Sequence, residues 1–69
     1  MEMIPVNSSN VAAVGYDEET NTLQVEYLNG SLYQYFDVPI HVFEGLTDGG
    51  SVGTYMHQNV KGIYRYARV

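Results

Sequence analysis

Apolar and polar positions alternate most clearly between Thr22 and Val38, where Leu23, Val25 and Tyr27 interleave with Thr22, Gln24 and Glu26. A two-residue period marks a half-buried strand. Asn29-Gly30 follows, the dipeptide best suited to a turn with positive φ. Ser31 to Phe36 then forms an aromatic-rich run of the kind that fits a pleated surface. The segment predicts a β-hairpin, and its loop decides which way the tyrosines point. A two-residue loop, Asn29-Gly30, sets Val25 opposite Gln34 and turns Tyr33 and Tyr35 away from Leu23 and Val25. A three-residue loop, Leu28-Asn29-Gly30, sets Val25 opposite Tyr33 and Leu23 opposite Tyr35. A slip of one residue moves every side chain to the other face. The three-residue loop is favoured because it pairs aromatic with β-branched residues on one side; the alternation alone leaves both open.

Around the hairpin the pattern predicts four further pieces. Residues 1–8 are expected as an irregular lead-in. Val11 to Tyr16 reads as a first strand, with Val14 and Tyr16 on one side and Val11, Ala13 and Gly15 on the other; such small residues invite a close neighbour, for example a helix. Pro39 suits the start of a short helix from Ile40 to Leu46, with Asp37 ahead of it favouring that start electrostatically. Val42, Phe43 and Leu46 would share its buried side. After Thr47-Asp48-Gly49-Gly50, Ser51 is a natural N-cap for a second helix from Val52 to about Val60. Lys61 complements the far end of that dipole, and Gly62 stops the helix. Ile63 to Val69 alternates again, as a short C-terminal edge strand or as an extended tail. The order β-β-β-α-α predicts a single α+β domain over residues 1–69: a small three-stranded antiparallel sheet covered on one face by two short helices.

Composition sharpens this picture. At 69 residues without cysteine, the chain has a thin core and no disulfide or thiolate–metal framework to support it, so a homo-oligomer is expected. Seven tyrosines stand against two phenylalanines and no tryptophan. Tyrosine combines apolar area with a polar tip, which suits interfaces and half-exposed faces. No apolar run approaches the roughly 20 residues of a membrane span, and the expected location is the cytoplasm. The formal net charge is −5, with all eight acids between Glu2 and Asp48 and all three cations, Lys61, Arg65 and Arg68, near the C-terminus. An acidic whole opposes strong nonspecific nucleic-acid binding, while the basic tail offers a local anion site.

Catalysis finds little to stand on. His41 and His57 are the only histidines, a cysteine nucleophile is excluded, and no nucleophile-elbow pattern surrounds Ser51. Asp17, Glu18 and Glu19 are adjacent acids in a turn, more in keeping with a solvated loop than with a metal site. No metal, cofactor or catalytic residue is expected. Asp48 to Gly53 presents glycines before a helix start, where free backbone N–H groups hold anions, but it lacks the Gly-Lys-Ser/Thr ending of a phosphate loop. An ordinary interhelical turn is the simpler account. Tyr33 and Tyr35 have the character of a stacking platform for bases; a thin core or a subunit interface is the competing use of the same rings.

These residues resemble the KTSC domain family, short domains found alone in bacterial and phage proteins and at the C-terminus of some lysyl-tRNA synthetases. Gly15-Tyr16-Asp17, the hairpin residues Leu23, Val25, Tyr27 and Gly30, and the central Tyr33-Gln34-Tyr35 followed by Val38-Pro39 carry the likeness. So do Ser51, Gly53 and Tyr55 in a Ser-x-Gly-x-Tyr segment, and Val60, Lys61 and Tyr64 at the close. The chain departs from the pattern with two glycines near Asp48–Gly50, where alanine is usual, and with His57 in place of asparagine. The resemblance implies a small binding domain with RNA as the expected partner. The candidate ligand-binding residues are Tyr33, Tyr35, Ser51, Gly53, Tyr55, Lys61, Tyr64, Arg65 and Arg68. In that reading Tyr33 and Tyr35 stack while Lys61, Arg65 and Arg68 meet phosphate. Two alternatives stand beside it: a protein-interaction or self-assembling module, and an oligomeric sponge for a nucleotide-derived small molecule held by Gly49–Gly53 with Arg65.

Overall fold

The computed structural model describes residues 1–69. Five strands, β1 (Met3–Pro5), β2 (Val11–Asp17), β3 (Thr22–Tyr27), β4 (Leu32–Tyr35) and β5 (Tyr66–Arg68), form one antiparallel sheet in the order β1-β2-β3-β4-β5. Two helices, α1 (Ile40–Leu46) and α2 (Val52–Asn59), lie between β4 and β5 in the chain. The class is α+β as expected, but the sheet has five strands rather than three. Neither helix is long and apolar enough to cross a membrane.

The hairpin follows the three-residue loop. Leu23 pairs with Tyr35 and Val25 with Tyr33. Tyr27 N–H donates to the Ser31 carbonyl at 2.9 Å, and Gly30 takes φ +90°, a value that glycine reaches without a Cβ penalty. Leu23, Val25 and Tyr35 therefore share the face that the helices cover, together with Val14 of β2 and Val42, Leu46, Val52 and Met56 of the helices. The outer face carries the other set, with Gln34 Nε2 donating to Gln24 Oε1 at 2.8 Å and Gln24 Nε2 reaching Met3 Sδ at 3.4 Å.

Two sequence expectations are corrected here. Residues 1–8 are not all irregular: Met3–Pro5 pairs with Ala13–Gly15 as an edge strand, where Pro5 is tolerated because an edge needs only one row of hydrogen bonds. The neighbour admitted by small residues in β2 is this N-terminal segment. A Cβ on Gly15 would stand 2.7 Å from Met3 Sδ and 2.8 Å from the Glu2 carbonyl, with Met1 Cγ at 3.1 Å, so Met1 and Glu2 run across the outer face. Val11 also changes sides. The register shifts between Val11 and Ala13, and this bulge brings Val11 onto the core face beside Val14, where only 2% of it is exposed.

The helices form much as the pattern predicts. Ser51 caps α2, its Oγ accepting from Thr54 N–H at 3.3 Å. Pro39 sits at the N-cap of α1. Asp37 does not serve that helix start: it adopts φ +57° and its carboxylate takes the Arg65 guanidinium at 3.1 Å. Tyr16 stacks on Phe43 with centroids 5.5 Å apart, and its hydroxyl donates to the Val38 carbonyl, tying β2 to the approach of α1. Burial, with Glu18 and Asp17 adding to it, raises the Tyr16 pKa above the ordinary tyrosine value. The helices meet at Gly45, where a Cβ would run into the Tyr55 ring.

Candidate functional site

β5 returns to the sheet beside β4, and that return builds the site. Tyr35 pairs with Tyr66 and Tyr33 with Arg68. Because side chains alternate across a strand, Tyr66 and Arg68 join Tyr33 and Tyr35 on the inner face, beyond the part of the sheet that the helices cover. Tyr27 of β3 completes the group. Tyr27 and Tyr33 meet edge to face at 5.4 Å, Tyr33 and Tyr35 are stacked at 6.4 Å, and Tyr66 lies 5.7 Å from each of those two. These separations are those of favourable aromatic pairs.

The four rings line a concavity of ≈ 510 Å³, with Asn29 and Ser31 of the hairpin loop at one rim and Lys61 at another. Lys61 follows α2 and was expected to serve that helix's dipole. Its backbone N–H closes on the Met56 carbonyl at 2.8 Å, while its ammonium reaches back over the Tyr27 ring, 5.5 Å from the centroid, within cation–π range. Arg68 Nη2 donates to Ser31 Oγ at 3.3 Å, which draws the guanidinium to the same rim. No carboxylate lines the concavity, although acids outnumber cations eight to three in the whole chain.

The rings are graded in exposure. Tyr35 is 3% exposed and belongs to the core, while Tyr66 is 61% exposed. The Tyr35 and Tyr27 hydroxyls bond each other at 3.1 Å. Burial first, then the hydrogen bond from Tyr27, pushes the Tyr35 pKa well above the ordinary 10.0. Tyr35 stays neutral and acts as a fixed wall. Tyr33 is intermediate in exposure, with Tyr27, Tyr35 and Tyr66 around it.

The other candidate residues are divided among separate places. Arg65 lies on the outer face: it shares a concavity with Gln34 and Phe36, is paired with Asp37, and its guanidinium lies 5.7 Å from the centre of the Phe36 ring. It is therefore on the opposite side of the sheet from Tyr33 and Tyr35. Ser51 and Gly53 line a polar concavity with Asn7, Ser8 and Ser9, which contains neither Arg65 nor Lys61. Tyr55 packs between the helices and Tyr64 lies half-buried against the core. His41 and His57 are exposed on α1 and α2. No group of three or more histidine, cysteine, aspartate or glutamate side chains is arranged to hold a metal ion; Asp17 Oδ1 instead accepts from Glu19 N–H at 2.9 Å.

Tyr27, Tyr66, Asn29 and Ser31 were absent from the sequence-derived set. The alternation of Tyr64, Tyr66 and Arg68 against Ile63, Arg65 and Ala67 already parts Arg68 from Arg65. The missing information was the pairing of β5 with β4, which assigns those two sets to faces.

Comparison with known proteins gives one consistent result. The family model described as the KTSC domain matches residues 7–69. An uncharacterised protein of Stutzerimonas stutzeri is 37% identical over 70 residues, covering 100% of this chain and 99% of the relative. A lysine–tRNA ligase of a Nostoc species is 36% identical over 67 residues, 97% of this chain, and the chain spans 12% of that ligase's length. Among solved structures, a KTSC domain protein from Yersinia pestis matches with a TM-score of 0.91 at 26% identity, covering 99% of this chain and 96% of that one.

Proposed function

The chain belongs to the KTSC domain family, and from that premise we propose that it is a binding domain for single-stranded RNA, held on the Tyr27–Tyr33–Tyr35–Tyr66 face. The observation that carries the reading is the combination of four clustered tyrosines with Lys61 and Arg68 at their rim and no acid among them. Aromatic faces accept any base by stacking, and neighbouring cations meet the phosphates between bases. Gathering two of the three cations at this rim, with Arg65 behind the sheet paired to Asp37, answers the objection raised by the net charge of −5: the acidic body repels nucleic acid at large, and Lys61 and Arg68 offset that repulsion beside the rings. The reading is of binding rather than catalysis.

Fluorescence anisotropy with a short labelled single-stranded RNA tests it. Binding should weaken in Tyr33→Ala and Lys61→Ala while Arg65→Ala binds as the wild type does, because Arg65 lies behind the sheet. Equal loss in all three, or no binding by the wild type at low salt, would remove the proposal.

The free edge of β5 favours a second reading, a self-assembling module. Its outer row of backbone groups pairs with no strand, and Tyr66 and Val69 are 61% and 69% exposed beside it; such an edge is a template for another chain. A dilution series in sedimentation separates the two: a concentration-dependent dimer indifferent to RNA would favour assembly.

A further inference from the structure

The sheet ends in two edges, and they are unlike. On β1, Val6 N–H donates to the Ala12 carbonyl at 3.1 Å. By the alternation of an antiparallel ladder, Ile4 and Val6 turn their backbone groups to β2, while Met3 and Pro5 turn theirs outward. Pro5 has no N–H to give, and a proline on an edge blunts it against another strand. On β5, Phe36 N–H donates to the Arg65 carbonyl at 2.9 Å, and Val69 N–H to the Leu32 carbonyl at 2.8 Å. Arg65, Ala67 and Val69 therefore face β4. Tyr66 and Arg68 each present an N–H and a carbonyl along the free edge, which carries neither proline nor bulge.

We infer that β5 pairs with β5 of a second copy, antiparallel about a two-fold axis at Ala67, so that each tyrosine site gains Arg68 of the second copy. The inference rests on the self-assembly reading and gives it a register. Outward-facing residues bond only with outward-facing residues, and the registers within reach differ in what they oppose. Arg68 against Arg68 places like charges opposite each other, which is destabilising. Tyr66 against Tyr66 calls on Tyr64 to meet Arg68, but Tyr64 N–H is already given to the Val60 carbonyl at 3.3 Å. Tyr66 against Arg68 lets both outward residues of each copy exchange both of their bonds. On the inner face it brings a guanidinium beside the Tyr66 ring, which is 61% exposed, in a cation–π pair. Pairing of β5 with β1 would run head to tail without closing, and Pro5 opposes it.

Cross-linking tests this. The chain has no cysteine, so Ala67→Cys carries a single thiol. Ala67 is exposed and meets its own counterpart at the axis, at roughly the 4.5 Å Cα separation of a non-hydrogen-bonded pair, which a disulfide spans. With oxidised glutathione, Ala67→Cys should become a covalent dimer, while Ile4→Cys, exposed on the other edge strand, should not. Arg68→Pro removes an outward N–H that β4 does not use, so β5 keeps its place in the sheet. That variant should sediment as a monomer at concentrations where the wild type is a dimer. A wild-type dimer whose Ala67→Cys form cross-links no faster than Ile4→Cys, or a folded Arg68→Pro protein that still dimerises, overturns the β5 pairing and leaves assembly through another surface. A wild type that stays monomeric across the dilution series overturns the self-assembly reading as well.

Discussion

Two halves of one sheet face are used in opposite ways. Under the helices the face is aliphatic: Val14, Leu23 and Val25 lie against Val42, Leu46 and Met56, all at most 4% exposed. Beside β5 the same face is tyrosine, uncovered by any helix and bordered by Lys61 and Arg68. The backbone is continuous, and only the side chains differ. Aliphatic residues have nothing to offer water and require a cover, whereas tyrosine retains a hydroxyl that tolerates exposure. Tyr35 is the seam, with its ring in the core and its hydroxyl bonded into the aromatic cluster.

The comparison breaks most severely on the aliphatic side. Leu23→Ala, at a position with no exposed area, should cost about 2–5 kcal/mol in urea unfolding, a large part of what a domain of this size has. On the tyrosine side the balance reverses. Tyr66→Ala gives up two partly exposed aromatic pairs and should cost about 0.5–1.5 kcal/mol of stability, less than Leu23→Ala, yet weaken oligonucleotide binding by about 1–3 kcal/mol, as titration would show. A Tyr66→Ala protein that unfolds as readily as Leu23→Ala would erase the distinction.

The seam itself can be sharpened with Tyr35→Phe, which removes the hydroxyl bond at a cost of about 0.5–1.5 kcal/mol. Alkali supplies the matching test. The folded state holds the Tyr35 proton more tightly than the ordinary value of 10.0, so its contribution is complete below that pH. It is lost as the pH rises further, because the unfolded chain ionises first. Urea midpoints taken from about pH 9 to pH 11 should fall more steeply for the wild type than for Tyr35→Phe; parallel curves would show that the proton is not specially held. The smallest effect concerns charge. Lys61→Ala should lower the salt dependence of RNA binding by about one phosphate contact. Arg65→Ala should leave that slope unchanged and alter stability by about 0–1 kcal/mol, since its pair with Asp37 is exposed.

The hairpin was legible from its alternation and the Asn29-Gly30 turn, whereas its register stayed open between two loop lengths, and the Val25–Tyr33 and Leu23–Tyr35 pairings of the structure decide it. Ser51 and the two helices were legible from local capping and spacing. Three features were hidden for physical reasons. β1 is three residues long and contains a proline, so its strand character comes from the neighbour it joins. The bulge after Val11 reverses a face without a marker in the composition. The site requires β5 to cross back past two helices and pair with β4, a long-range contact that no local period announces. For that reason Arg65, adjacent in sequence to Tyr66, was grouped with a face it does not share.

The route of the first residues has a practical side. Met1 and Glu2 lie over Gly15 on the outer face, whereas Val69 leaves from beside Leu32, bonded to its carbonyl at 2.8 Å, next to the rim where Arg68 meets Ser31. A tag or a fused protein attached ahead of Met1 therefore departs with the sheet standing between it and the tyrosines. The same tag attached after Val69 emerges at the mouth of the pocket. Immobilised through its first residue, the domain presents its aromatic face outward; immobilised through its last, it turns that face toward the support.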